Sequence, residues 1–139
     1  MAAVNDPPVL DLDTGNATAN YAVTFTEGDA AVALATTAGD NLTDLDSTTF
    51  DKVTVAFTQA NFADGAAESL KVNGATVNGT IGNLGGLTNG ATGTFTLGGT
   101  VYDYSVAVAA GTATITFTGD AAAELTEAQA EALIDALRY

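Results

Sequence analysis

Two acidic stretches carry the side chains most able to do chemistry. Residues 4–8 read VNDPP and residues 42–46 read LTDLD. Asn5, Asp6, Asp44 and Asp46 are all oxygen donors, the ligand type that a hard divalent cation such as calcium takes. An Asp-x-Asp in extended chain sends both carboxylates to one face, about 7 Å apart along the strand. Proline biases the residue before it out of the α region, so Asn5-Asp6 before Pro7-Pro8 is expected to be extended. The competing reading makes Asp44 and Asp46 turn residues and Asn5-Asp6 a solvated linker, because Asp bonds readily to the backbone of turns. A second acidic set is Glu27, in TEGD (26–29), with Asp64 and Glu68, in FADGAAES (62–69). If the strands run up and down, these two segments arrive at the pole opposite the first set. Asp11 and Asp13 read as solvent-facing strand positions.

The composition narrows the chemistry further. The chain has 139 residues with 17 Asp and Glu against three Lys and Arg, a formal net charge of −14. A domain of this length buries roughly two-thirds of its unfolded surface. It is 47% hydrophobic, which separates it from a disordered acidic tail. Cys and His are both absent. No disulfide and no thiolate or imidazole ligand is therefore possible, and the usual general base at neutral pH is missing. An enzyme is not expected. A polyanion with three basic residues has almost nothing with which to displace phosphate counterions, so neither nucleic acid nor an anionic membrane is an expected partner. No apolar run reaches the length of a membrane span. Self-repulsion favours cation binding. Abundant Asp, Thr, Gly and Asn without Cys suits a secreted or cell-surface bacterial β-protein.

The elements that must position the acidic residues read mostly as short strands. Val9–Leu12 follows the prolines. Tyr21–Phe25 alternates with Tyr21, Val23 and Phe25 on one face, and Val32 and Leu34 continue it. Val53–Thr58 should point Val53, Val55 and Phe57 inward. Leu70 and Val72 run into Asn73-Gly74, a strong hairpin signal, with Val77–Ile81 returning. Residues 83–93, rich in Gly and Asn, read as a loop. Phe95 and Leu97 mark the next strand. Val101, Tyr104, Val106 and Val108 mark another, and Thr112–Thr118 alternates most cleanly of all. The pattern then changes to helix over 126–138: Thr126 is placed to N-cap, Gln129 completes a capping box, and Leu133, Ile134 and Leu137 form an apolar stripe. One all-β domain over 1–139 follows, a β-sandwich with a linker at 1–8 and one C-terminal helix.

In VNDPPVLDLD (4–13), FTEGDAAVALA (25–35), LTDLDSTTFDKVTVAFT (42–58), DGAAESL (64–70) and EALIDALRY (131–139), the chain resembles the cadherin-like, immunoglobulin-fold repeats of giant bacterial surface adhesins, which are often type I-secreted and end in RTX repeats. Residues 72–118 match only in general character. The resemblance implies calcium at domain junctions. Asn5, Asp6, Asp44 and Asp46 would face the preceding repeat, and Glu27 the following one. No Asp-Arg-Glu stands before the helix, a departure from the family pattern. Repeats of this kind continue past Leu-Arg-Tyr with two more strands and another linker. The resemblance therefore implies either that the strands at 92–118 and the helix already close the sandwich, or that an open sheet edge makes a homotypic contact with another chain.

The function expected on these grounds is that of a calcium-stabilised extender in a string of repeats, with neighbouring repeats of the same polypeptide as partners. The alternative is a ligand-binding module for a carbohydrate or a surface, using residues 83–93 with Tyr102 and Tyr104 as exposed aromatics.

Overall fold

A computed structural model describes residues 6–36, 40–76 and 78–139. Asn5 lies outside the described residues, as does Val77 of the expected 77–81 strand. Eleven strands are present among the described residues: β1 (Val9–Asp11), β2 (Asn41–Thr43), β3 (Thr49–Phe50), β4 (Val53–Thr58), β5 (Ser69–Val72), β6 (Thr80–Gly82), β7 (Thr92–Leu97), β8 (Thr100–Ala109), β9 (Thr112–Gly119), β10 (Leu125–Thr126) and β11 (Leu137–Arg138). One helix, α1 (Glu127–Ala136), lies between β10 and β11. The chain is thus mostly β with a single C-terminal helix, an arrangement consistent with a β-sandwich.

The largest sheet is antiparallel with the order β4-β9-β8-β7. Its alternation is the cause of its two faces. In β9 the odd positions Ala113, Ile115 and Phe117 are fully buried, while the threonines between them are only partly covered. Val53, Val55 and Phe57 of β4 are half-buried on the same inner face, as their spacing predicts. In β8 the expected Tyr104, Val106 and Val108 lie on the inner face, and Val101 alone departs. Tyr102 and Val106 are buried and Val101 points out, because the inner face of β8 carries the even positions. Phe95 of β7 stacks on Tyr102 with centroids 5.3 Å apart, and Phe117 meets Phe95 edge-on at 6.0 Å.

Across this core lie a three-stranded sheet of order β11-β5-β6 and two two-stranded ladders, β1-β2 and β3-β10. Leu70 and Val72 of β5, Ile81 of β6, and Leu133, Ile134 and Leu137 pack into the same core cluster as Phe95 and Phe117. Burying one such side chain contributes about 1.5–3 kcal/mol. The β5–β6 hairpin forms with Leu70 opposite Ile81, and Gly74 takes φ +82°, a left-handed turn conformation that glycine adopts without strain.

Helix α1 begins as the sequence predicts. The Thr126 hydroxyl accepts from the Gln129 N–H at 3.3 Å, and the Gln129 side chain accepts from the Thr126 N–H at 2.9 Å, a complete capping box. It ends earlier than the expected 126–138. Leu137 and Arg138 leave the helix as β11, because their backbone groups find partners on both sides. Leu137 pairs with Val72 and Arg138 with Lys71 of β5. On the other side Val32 N–H donates to Tyr139 O at 2.8 Å, Tyr139 N–H to Val32 O at 2.9 Å, and Leu34 N–H to Leu137 O at 3.1 Å.

The expected strand at Tyr21–Phe25 does not form. That segment joins no ladder, and Val23 and Phe25 are 45% and 39% exposed. Alternation makes a strand only where another strand offers hydrogen bonds, and here the neighbour of the following segment is the chain's own C-terminal stretch. Phe25 instead packs edge-on against Tyr139, with centroids 5.0 Å apart.

Candidate functional site

The first acidic set is positioned by the β1-β2 ladder. Val9 pairs with Thr43, so residues just before β1 lie beside residues just after β2. The Asp6 N–H donates to Asp46 Oδ2 at 3.2 Å, joining the linker to the LTDLD segment. The expected extended Asp-x-Asp is not what forms. Asp44 follows the end of β2, and its Oδ1 accepts from the Asp46 N–H at 3.2 Å across a bend. Asp44 thus acts as a turn former, the competing reading of its type, while Asp46 meets Asp6. Asp11 ends β1, Asp13 lies beyond it, and both are half-buried and bond into the turn that follows. Asp11 Oδ1 accepts from the Asp13 N–H at 2.9 Å, and Asp13 accepts from Gly15 and from the Asn16 amide.

The second set comes together more closely than spacing could show. Glu27, Asp64 and Glu68 line one cavity of about 490 Å³, joined there by Asp29, Lys71 and Tyr139. Glu68 organises one wall of it. Its Oε2 accepts from the Asp64 N–H at 2.9 Å, and its Oε1 accepts from the Tyr139 hydroxyl at 3.0 Å. Burial first, then the hydrogen bond to Glu68 and the charges of Glu68 and Asp64, raise the Tyr139 phenol above its ordinary pKa. Asp29 belongs to the same TEGD stretch as Glu27, so its type and position were available in sequence. Tyr139 was not legible as a site residue, because only the β5–β11 register brings the C-terminal stretch beside Glu68.

Among the described residues, no three carboxylates converge closely enough to hold a metal ion by themselves. Each set offers oxygen donors and no nitrogen or sulfur donor, since the chain lacks His and Cys. Oxygen donors are of the type that calcium takes. The two sets lie at the two ends of the 127–139 segment. Thr48, two residues after Asp46, accepts the Glu127 N–H through its carbonyl, and Glu68 is bonded to Tyr139.

The aromatic pair of the ligand-binding alternative does not stand at the surface as expected. Tyr102 is 1% exposed and its hydroxyl donates to the Gln129 carbonyl at 3.1 Å. Burial raises its pKa above the ordinary phenol value. Tyr104 is half-buried beside Phe117.

The fold and the site thus define a mostly β chain with one C-terminal helix and two groups of acidic oxygen donors. No protein-family model, curated protein or solved structure matches the chain.

Proposed function

We propose that this domain is an extender module of a bacterial cell-surface adhesin, an immunoglobulin- or cadherin-like sandwich whose junctions with neighbouring repeats are stiffened by calcium. The observation that carries the reading is the pairing of two incomplete oxygen-donor sets with the two ends of the 127–139 segment. Asp6, Asp44 and Asp46 make one set, and Glu27, Asp64 and Glu68 make the other. An incomplete set is what a module shares with the next one in line, and a chain of net charge −14 gains from the neutralisation. Asp46 and Asp6 would hold the ion on one side. Glu27 and Asp64 would hold it on the other, with Glu68 kept in place by Tyr139. When bound, calcium would supply a bridge between carboxylates that otherwise repel.

The test is a tandem of two copies joined through the VNDPP linker, titrated with calcium by calorimetry and followed by small-angle scattering. A Kd on the order of 0.1–1 mM, the range of extracellular modules, together with stiffening of the tandem, is expected. Identical scattering in calcium and in chelator would refute the proposal.

A further inference from the structure

A third group of carboxylates stands apart from both sets. The segment from Asp40 to Thr48 runs antiparallel along α1. The Thr48 carbonyl accepts from Glu127 N–H at 3.2 Å, and the Leu42 N–H donates to Glu131 Oε1 at 3.3 Å. Two residues back from Leu42 and one turn on from Glu131, the Asp40 carboxyl lies within side-chain hydrogen-bond reach of Asp135 at the last turn of the helix. Among the described residues, Asp135 Oδ1 is buried there without a hydrogen-bond partner. An ionised carboxylate only accepts, so two of them side by side cannot satisfy one another.

Among the described residues, nothing nearby supplies the missing donor. Arg138, just past the helix, directs its guanidinium to the backbone carbonyls of Asp135 and Leu137. Asp11, opposite Asn41 on β1, holds the Asp13 N–H with its carboxylate. From the β5–β6 turn, the neutral Asn73 bonds the Ala136 carbonyl through its backbone N–H. The Asp40 backbone N–H is taken by the Thr36 carbonyl at 3.2 Å. From α1, the charged groups that face Asp40 are Asp135 and Glu131, both acidic.

We propose that Asp40 and Asp135 share one proton, and that this proton closes a clasp between the start of β2 and the last turn of α1. The protonated carboxyl donates its O–H to the other carboxylate, which converts a repelling pair into a hydrogen-bonded one. Burial is the main cause that raises Asp40 above the ordinary aspartate value, followed by the charge of Asp135, with the Asp135 hydrogen bond and the Glu131 charge adding to it. A carboxyl raised on folding stabilises the native state fully below its unfolded pKa, and that contribution is lost as pH rises through the folded value. The clasp is therefore closed in acid and open in base, opposite to the usual acidic ion pair.

The experiment follows thermal unfolding of the whole domain at fixed ionic strength from neutral pH down to about pH 4, where an aspartate begins to protonate. Asp40→Asn supplies a permanent N–H donor in place of the shared proton. It should raise the melting temperature at neutral pH and flatten the gain on acidification. Asp51→Asn removes the same charge at an exposed position. It should leave the acid gain parallel to wild type, which separates the clasp from general charge relief. If the Asp40→Asn and Asp51→Asn curves run parallel, the clasp does not exist. Carboxyl ¹³C resonances of wild type provide a readout that needs no variant. The Asp40 carboxyl should titrate above the ordinary aspartate range. An Asp40 carboxyl that titrates at the ordinary value would overturn the proposal.

Discussion

Removing the Tyr102 hydroxyl separates a core role for this residue from a ligand-binding one. In Tyr102→Phe the ring stays stacked on Phe95, and only the donor to the Gln129 carbonyl is lost. The net contribution of such a bond is about 0.5–1.5 kcal/mol. The Gln129 carbonyl lies within α1 and keeps the helix's own i+4 N–H as a partner, so the lower half of that range is expected. For a domain of this size, 0.5–1 kcal/mol is a fall in melting temperature of roughly 1–4 °C. Tyr102→Leu also removes the aromatic stack and leaves unfilled volume beside Phe95, at a cost of about 2–4 kcal/mol. Urea titrations of the three proteins measure both steps. A graded loss, small for Phe and large for Leu, is the expected result. If both variants unfold at the wild-type urea concentration, Tyr102 is not buried as described, and the surface role returns.

Thr126→Ala removes one half of the capping box and should cost about 1 kcal/mol in urea unfolding. Asp46→Ala should weaken calcium binding to the tandem while changing the calcium-free stability by under about 0.5 kcal/mol, as for a surface substitution. Asp44→Ala should do the same to calcium but cost slightly more stability, because its carboxylate closes a bend. Calorimetry and urea titration on each variant distinguish the two effects. Above about pH 10, the ordinary phenol range, the domain should lose stability, since Tyr102 and Tyr139 both hold their protons more tightly when folded. Tyr102→Phe should reduce that alkaline loss in a thermal melt series.

What could be read in the sequence was what local chemistry determines. Thr126 and Gln129 lie three apart and make the box by themselves. The alternations at 53–58 and 112–118 belong to adjacent strands, β4 and β9, paired from Val53 opposite Phe117 to Thr58 opposite Thr112. What was not legible depends on partners distant in sequence. Tyr21–Phe25 has the alternation of a strand and no strand beside it. Leu137-Arg138 reads as helix until β5 and residues 32–34 are known to flank it. The acidic sets behaved likewise. Residue type marked Glu27, Asp64 and Glu68, and only the fold shows that they share a cavity. Asp40 and Asp135, 95 residues apart, carry no local sign that they meet.

The C-terminal stretch from Ala136 to Tyr139 is held on both flanks, by β5 on one side and residues 32–34 on the other. A pull applied at Tyr139 along the strand would load these bonds together, in shear, since none can open before its neighbours. A pull across the strand would break them one at a time. The domain should therefore resist tension along the chain far better than across it. Single-molecule stretching between residues 72 and 139, which loads the strand along its length, compared with stretching between residues 33 and 139, which pulls across it, measures that anisotropy directly.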